Sequence, residues 1–455
     1  MNETIAAIST PAGESAIAAV RLSGADCARL AREIFRFSKP DVPQIEPRKM
    51  HYADYRDSSG KTLDDVMFCL FRAPNSYTGE DMLEIYPHGN PYILRKILDD
   101  LCVRGARLAQ AGEFTRRAFL NDKFDLSQAE AVAKIIGARS EAALTAARKQ
   151  FGGEIGRRIS QLSSDVLDMK ALIEAYIDFP DEDLPPSDTK RLCDMAEKAC
   201  AEMVRLAETS KYDSLIHDGI RAVIAGAPNA GKSSLMNAIL GRSRAIVSSV
   251  AGTTRDFIDE RFMLGEFILN LTDTAGLREG DGEIESEGIR RACGKIADCD
   301  LCLLVADSAQ PFPELPPEVL EKISPDNTII VLNKSDLPES RDNLPANFRN
   351  FKTIKVSCQN NSGIDELKKN ALALIREKFI KPSGDDVVVG ARHARALERA
   401  CESLKCAERK ILDGEPSELV ASDLAETLDA LGEIVGKTDS EEVLDRIFSK
   451  FCIGK

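Results

Sequence analysis

The segment Gly226–Ser233 reads GAPNAGKS and stands between an apolar run and a helix-like run. This GxxxxGKS spacing is typical of a phosphate-binding loop, because its glycines let backbone N–H groups surround phosphate oxygens at the start of a helix. The lysine of such a loop reaches the β- and γ-phosphates, and the hydroxyl that follows it binds Mg²⁺. We therefore expect Lys232 and Ser233 to hold a nucleoside triphosphate and its magnesium ion, with an ordinary glycine-rich turn as the alternative.

Further segments follow in the order typical of a GTPase. TTRD offers Thr254 as a second magnesium ligand, and DTAG places Asp273 at the end of a predicted strand, where its carboxylate can reach the water shell of the metal. NKSD closes the apolar run TIIVLN and puts Asn333 and Asp336 where a base would lie. SCQ follows another predicted strand, and its expected contact with guanine is a backbone amide, so that Cys358 is tolerated where alanine is common.

Asp336 indicates which base is bound. Its carboxylate can accept hydrogen bonds from N1–H and the exocyclic amine of guanine, whereas adenine lacks this pair of donors. The chain is therefore predicted to be a GTPase. The residues expected around the nucleotide are Asn229, Ala230, Gly231, Lys232, Ser233, Ser234, Ser248, Ser249, Val250, Ala251, Gly252, Thr253, Thr254, Asp273, Thr274, Ala275, Gly276, Asn333, Lys334, Asp336, Ser357, Cys358 and Gln359.

Hydrolysis needs a group other than the usual glutamine, because Leu277 follows DTAG. Asn229 could hold a monovalent cation together with carbonyls of the segment SSVAGT, which would place positive charge where the leaving phosphate develops negative charge. A turn-capping role is the alternative for Asn229. The water-orienting carboxylate is left open among the acidic residues of REGDGEIESEG, namely Glu279, Asp281, Glu283, Glu285 and Glu287.

The pattern of strand-like and helical runs along the chain predicts several domains. Residues 1–119 mix short strand-like and helical runs, residues 120–215 and 380–455 are helical, and residues 216–379 alternate apolar strands with helices. This order predicts an α/β multidomain fold: an N-terminal α+β domain, an all-α domain, and a P-loop domain with a doubly wound sheet inserted into the all-α domain.

Composition narrows the class of protein. The 455 residues carry a formal net charge of −14, which argues against an extended basic face for nucleic acid. No signal peptide or long apolar run occurs, so that a cytoplasmic protein without membrane spans is expected. The twelve cysteines are too scattered for a disulfide scaffold, and the pair Cys299 and Cys302 is expected to pack in a core rather than bind zinc.

The chain ends in FCIGK, which raises a separate question. Cys452 stands where a prenylated cysteine would, but Gly454 is not aliphatic and Lys455 is not an accepted last residue. From the residues alone, a buried thiol and a nucleophile remain as alternatives.

Several segments together resemble the MnmE (TrmE) family of tRNA-modification GTPases. They are the nucleotide-binding segments above, NSYTGEDMLEIYPHG, GEFTRRAFLNDKFDLSQAEAV and the terminal FCIGK. The resemblance covers nearly the whole chain. It implies an N-terminal domain that binds tetrahydrofolate and dimerises, followed by a helical domain that carries the inserted Ras-like G domain.

The resemblance also implies the activity. Such a protein forms 5-(carboxymethyl)aminomethyl-uridine at the tRNA wobble position, taking carbon from a tetrahydrofolate derivative such as the 5-formyl or 5,10-methylene form. It acts as a homodimer in a heterotetramer with an FAD-dependent subunit of the MnmG (GidA) type. GTP hydrolysis with Mg²⁺ is stimulated by K⁺ through dimerisation of the G domains.

Residues carried over from the family complete the expected site. The K⁺ ligands match Asn229, Ser248, Val250 and Thr253, and the catalytic glutamate matches Glu285. The folate contacts match Arg21, Glu80, Lys123 and Lys455, and Cys452 is expected to be needed for modification. The competing interpretation is a potassium-activated GTPase of ribosome assembly, against which the acidic net charge and the folate-like N-terminal segments argue.

Overall fold

The computed structural model describes residues 3–37, 45–178, 185–241, 259–273, 294, 296–297, 299–338, 344–378, 387–437 and 441–455. The chain divides into two compact units. The first comprises Met1–Ile136, Lys149–Met203 and Ala396–Lys455, and the second comprises Gly137–Arg148 and Val204–Arg395.

The first unit contains a seven-stranded sheet. Its strands are β1 (Ile5–Ile8), β2 (Val20–Ser23), β3 (Phe35–Arg36), β4 (Met50–Arg56), β5 (Thr62–Phe71), β6 (Met82–Tyr86) and β7 (Arg107–Leu108). They lie in the order β3-β4-β5-β6-β2-β1-β7, and among these described strands the neighbours are antiparallel except β1 and β7.

Two helices, α1 (Cys27–Ile34) and α2 (Pro91–Val103), cover one face of this sheet. Helix α2 begins at Pro91 because the Asn90 side chain accepts hydrogen bonds from the backbone of Tyr92 and Ile93. Leu22 and its neighbours on β6 are buried under the helices. Since side chains alternate along a strand, Arg21, Ser23 and Glu84 lie on the opposite face.

Further helices lie wholly or mostly in the first unit. They are α3 (Glu113–Leu120), α4 (Leu126–Gly137), α6 (Glu154–Asp178), α7 (Pro186–Glu208), α12 (Ala391–Asp413), α13 (Ser417–Val435) and α14 (Glu441–Phe448). Helix α6 buries residues at three- and four-residue spacing, from Ile155 to Ile173, and packs along α13. Helices α4 and α14 share an apolar cluster that includes Leu126, Phe448 and Phe451.

The second unit contains a six-stranded sheet. Its strands are β8 (Ile220–Gly226), β9 (Asp259–Leu264), β10 (Phe267–Asp273), β11 (Leu301–Asp307), β12 (Thr328–Asn333) and β13 (Lys352–Lys355), in the order β13-β12-β11-β8-β10-β9. All neighbours are parallel except the antiparallel pair β9 and β10. Its helical segments are α5 (Glu141–Phe151), α8 (Ser210–Asp218), α9 (Lys232–Leu240), α10 (Pro317–Leu320), the 3₁₀ helix Ala346–Phe348, and α11 (Ile364–Lys378).

These elements confirm the predicted fold class: an N-terminal α+β region, helices, and a doubly wound sheet of the P-loop type. The central strands are apolar throughout because both faces of a parallel sheet are covered. Cys299 and Cys302 pack in one apolar cluster with Ile296 and Leu304, as expected from their place at the start of β11. Among the helices of the described ranges, none is both long and apolar enough to cross a membrane.

Candidate functional site

The phosphate-loop residues join β8 to α9, and their backbone explains the glycines. Gly231, with φ 92°, precedes the first residue of α9, and a Cβ there would lie 2.1 Å from Nδ2 of Asn333. A Cβ on Gly226 would lie 2.1 Å from the Val305 carbonyl oxygen. Because real Cβ contacts do not fall below about 3 Å, only glycine fits at these two positions.

Lys232 closes this loop from within. Its side chain is buried, and its Nζ donates hydrogen bonds to the carbonyl oxygens of Gly226 at 3.0 Å and Ala227 at 2.9 Å. Ser233 is exposed in the first turn of α9, where helix N–H groups are not used within the helix. A buried ammonium at the N-terminus of a helix fits the phosphates of a nucleotide, and the adjacent hydroxyl fits a magnesium ion.

The predicted base-binding segments meet this loop through Asn333. Its Nδ2 donates to the Ala230 carbonyl oxygen at 2.9 Å, and its Oδ1 accepts from the Cys358 N–H at 3.4 Å. Burial and the negative charge of Asp336 raise the pKa of the Cys358 thiol, while a hydrogen bond with Asn333 opposes them. Asp336 itself is exposed, so its carboxylate is accessible.

Several predicted residues lie outside the described part of the chain. They are Ser248, Ser249, Val250, Ala251, Gly252, Thr253, Thr254, Thr274, Ala275, Gly276 and Glu285. Asp273 is described only as the last residue of β10. The potassium set is therefore represented by Asn229, which has a left-handed backbone with φ 60°.

The C-terminal residues lie against the N-terminal sheet. Ile453 forms an isolated antiparallel bridge with Ala111, and the Ser9 hydroxyl donates to the Gly454 carbonyl oxygen at 3.2 Å. Gly454 has φ 91°, and a Cβ there would lie 2.6 Å from the Ile8 carbonyl oxygen. The close approach and the backbone conformation both require glycine at this position.

The charge of Arg21 acts on Lys455, and the family resemblance assigns both residues to folate. Arg21 forms an ion pair with Glu84, with 2.7 Å between Nε and Oε1. Burial and the positive charge of Arg21 lower the pKa of the Lys455 amine, although the negative charge of Glu84 opposes them. Arg21 and Lys455 bring two cationic groups together beside Glu84, and their N–H donors can bind a carboxylate or another anion.

Glu80 is held by buried neighbours. Its Oε2 accepts hydrogen bonds from the Ser23 hydroxyl at 2.7 Å and from Nη1 of Arg117 at 2.9 Å, and Ser23 Oγ is 2.7 Å from Thr78 Oγ1. The Arg117 side chain is only 3% exposed. These contacts fix one carboxylate oxygen.

Lys123 lies near the same segment of chain. Its Nζ donates to the Pro74 carbonyl oxygen at 3.0 Å, and its alkyl chain runs past Gly79, next to Glu80. Arg21 and Ser23 share one face of β2, which connects the Arg21–Lys455 pair to the Glu80 network. We call these residues the N-terminal site: Arg21, Ser23, Thr78, Glu80, Glu84, Arg117, Lys123 and Lys455.

The sequence had not singled out Ser23, Thr78, Glu84 or Arg117. One signal could have pointed to Glu84. Leu83 and Ile85 are buried on one face of β6, so Glu84 lies on the other face, where it can pair with a side chain of a neighbouring strand. Arg117 follows Glu113 by one helical turn, but this spacing also describes an ordinary surface pair.

Comparisons with known proteins identify the family. The family model described as "GTP-binding protein TrmE N-terminus" matches residues 4–123, and the "MnmE helical domain" model matches residues 126–452. The chain is 46% identical to the tRNA modification GTPase MnmE of Opitutus terrae over 100% of this chain and 99% of the relative. It is 40% identical to the proteins of the same name from Aquifex aeolicus and Syntrophus aciditrophicus, over 100% of both chains in each case.

A search of solved structures gives the G domain of the T. maritima FeoB iron transporter. It matches at 24% identity, with a TM-score of 0.25, over 34% of this chain and 98% of that chain. So low a TM-score adds nothing to the assignment, which rests on the family models and the full-length relatives. The chain therefore belongs to the MnmE (TrmE) family.

Proposed function

We propose that this chain is a K⁺-stimulated GTPase that forms 5-(carboxymethyl)aminomethyl-uridine at the tRNA wobble position with a folate one-carbon unit. As a member of its family the chain is a GTP hydrolase, and it binds GTP and Mg²⁺. It works in the cytoplasm as a homodimer, in a heterotetramer with an FAD-dependent subunit of the MnmG (GidA) type. Its domains are residues 1–119, 120–215 with 380–455, and the inserted 216–379.

One observation carries the folate part of this proposal: Gly454 packs against Ile8 of β1, which pairs with the strand of Arg21, and the charge of Arg21 acts on Lys455. A tetrahydrofolate combines ring N–H donors at one end with carboxylates at the other. Glu80 can accept hydrogen bonds from ring donors, because Ser23 and Arg117 occupy only its Oε2 atom among the described contacts. Arg21 and Lys455 can attract the carboxylates.

Within this site the folate would supply a one-carbon unit. The chain's own residues bind and orient it: Glu80 at a fixed oxygen, Lys123 beside it, and Arg21 held by Glu84. The Gly454 backbone keeps Lys455 against β1. Folate binding therefore depends on the position of Lys455.

Nucleoside mass spectrometry of tRNA tests the proposal as a whole. Cells without the protein should lack the wobble-uridine modification, and the intact gene should restore it. Normal wobble uridine in those cells would contradict the proposal and would favour a GTPase of ribosome assembly.

Replacing Lys455 with methionine should weaken the binding of 5-formyl-tetrahydrofolate about ten-fold, as expected for loss of one charge-assisted hydrogen bond. In the unchanged protein, affinity should fall as the pH rises, because the Lys455 amine loses its charge below the ordinary lysine pKa of about 10.4. Isothermal titration calorimetry from neutral pH up to the ordinary lysine pKa measures both effects. Lys450→Met, at an exposed lysine, is the control, and equal weakening in both variants would contradict the role of Lys455.

Replacing Asn229 with glycine should remove the stimulation by K⁺. Glycine accepts the left-handed backbone at this position, so the change removes the carboxamide without straining the loop. We expect GTP hydrolysis in KCl to fall about 10²-fold, the usual cost of losing one electrostatic stabiliser of a transition state. The rate in NaCl of equal ionic strength should match the unchanged protein, and persistent K⁺ stimulation would rule out this cation site.

A further inference from the structure

Asp307 lies at the nucleotide end of the second sheet without having been predicted as a site residue. Strands β11 and β12 are parallel neighbours, and their last residues, Asp307 and Asn333, are directly paired. Ligands of open parallel sheets bind at the carboxyl ends of the strands. Asp307 therefore ends beside Asn333, which contacts both the phosphate loop and Cys358.

Both oxygens of Asp307 are used. Oδ1 accepts a hydrogen bond from the Ala309 N–H at 3.0 Å, and Oδ2 lies 2.7 Å from Nζ of Lys334. Burial alone would raise the pKa of Asp307, but the hydrogen bonds from Lys334 and Ala309 lower it below its ordinary value. The carboxylate is thus ionised near neutral pH and held by its own turn.

The backbone of Lys334 is fixed as well. It follows the buried Asn333 and has a left-handed φ of 62°, which is uncommon for a residue other than glycine. The ammonium is held by Asp307 at the other end of the side chain, so that both ends of a flexible four-carbon chain are constrained. A lysine that is ordered before the ligand arrives loses less conformational entropy on binding.

We propose that Asp307 is a positioning residue that holds the Lys334 side chain in place for the bound guanine nucleotide. Asp307 makes no contact with the nucleotide in this role and acts only through Lys334. The alkyl chain of Lys334 then forms a surface for the nucleotide that does not depend on the exocyclic groups of the base. The role rests on the proposed contact of Lys334 with the nucleotide.

Titration of the full-length protein with fluorescently labelled GDP and Mg²⁺ tests this role in a double-mutant cycle. Asp307→Asn should weaken affinity about five-fold, the size expected when one flexible side chain must be ordered on binding. Lys334→Ala should weaken it at least as much, and the double variant should bind like Lys334→Ala alone. Asp307→Asn should weaken the binding of inosine diphosphate, which lacks the exocyclic amine, by the same factor as the binding of GDP.

The outcomes distinguish an error about the Lys334 contact from an error about the role of Asp307. Unchanged affinity in Lys334→Ala would overturn the proposed contact of Lys334, and with it the role of Asp307. Weak binding by Lys334→Ala together with unchanged affinity in Asp307→Asn, or with additive effects, would overturn the role of Asp307 alone. A loss confined to GDP would also overturn it, because Asp307 would then act on the exocyclic amine.

Asp300 provides a matched control at the other end of β11. It lies just before β11, at the opposite end of the sheet, where its Oδ2 accepts a hydrogen bond from the Arg221 N–H at 2.9 Å. Asp300→Asn should leave nucleotide affinity unchanged, whatever it does to the melting temperature. Equal loss of affinity in Asp300→Asn and Asp307→Asn would mean that Asp307 only stabilises the fold, and would overturn the proposal.

Discussion

Replacing Asp336 with asparagine should change the preferred nucleotide from GTP to xanthosine triphosphate. The carboxylate matches N1–H and the exocyclic amine of guanine, whereas the asparagine amide would place an N–H₂ donor against that amine. Xanthine has a carbonyl oxygen at this position and accepts the new donor. Since a hydrogen bond to a charged group contributes about 1.5–3 kcal/mol, loss of the bond to the exocyclic amine should weaken GTP binding about 10- to 10²-fold, while the asparagine oxygen can still accept from N1–H.

The position of Asp336 in the structure indicates that this substitution should affect the base contact alone. Asp336 is exposed, so asparagine should not destabilise the fold, and the phosphate loop and Lys232 are untouched. Competition binding with GTP and xanthosine triphosphate measures the preference, and hydrolysis of each nucleotide shows whether the phosphate chemistry survives. Asp326→Asn is the control: Asp326 is exposed and precedes the start of β12, away from the base, so the variant should keep the preference for GTP. If Asp336→Asn still bound GTP as tightly as the unchanged protein, the proposed base contact would be refuted.

The sequence predicted the fold class well because the signals are local. Apolar runs such as LCLLVAD and TIIVLN alternate with helical stretches. A strand that is covered on both faces is apolar along its whole length, and such a run is visible in the sequence. The glycines of the phosphate loop belong to the same class of signal. Gly226 and Gly231 are required by contacts with adjacent elements, and the spacing of the loop already encodes those contacts.

The N-terminal site could be anticipated only through the family. Arg21 and Glu84 are paired across two strands, and Arg117 reaches Glu80 from a helix, so no local spacing relates these residues. The docking of the chain's end is equally non-local, since Gly454 contacts Ile8 and Ser9 at the other end of the sequence. Which charges become neighbours depends on how the strands and helices pack, and a single sequence does not record this.

The C-terminal thiol allows the sharpest separation of the two proposed activities. Cys452→Ser should lower tRNA modification by at least about 10²-fold, the scale on which enzymes lose rate when a reacting or positioning group is removed. GTP hydrolysis should remain within about two-fold, because Cys452 is exposed and its replacement removes little packing. The Cys452 carbonyl oxygen accepts from the Lys455 N–H at 3.3 Å, and serine preserves this backbone contact.

Paired assays on one preparation measure the outcome: nucleoside mass spectrometry of tRNA treated with the full enzyme complex, and phosphate release from GTP. Cys406→Ser is the matched control, because Cys406 is also exposed but lies on α12. It should leave both activities intact. Loss of both activities in Cys452→Ser would assign the thiol a structural role, and normal modification would show that the thiol is dispensable. Loss of modification alone would mean that the end of the chain takes part in the tRNA reaction, while folate affinity in the same variant would show whether the thiol acts after binding.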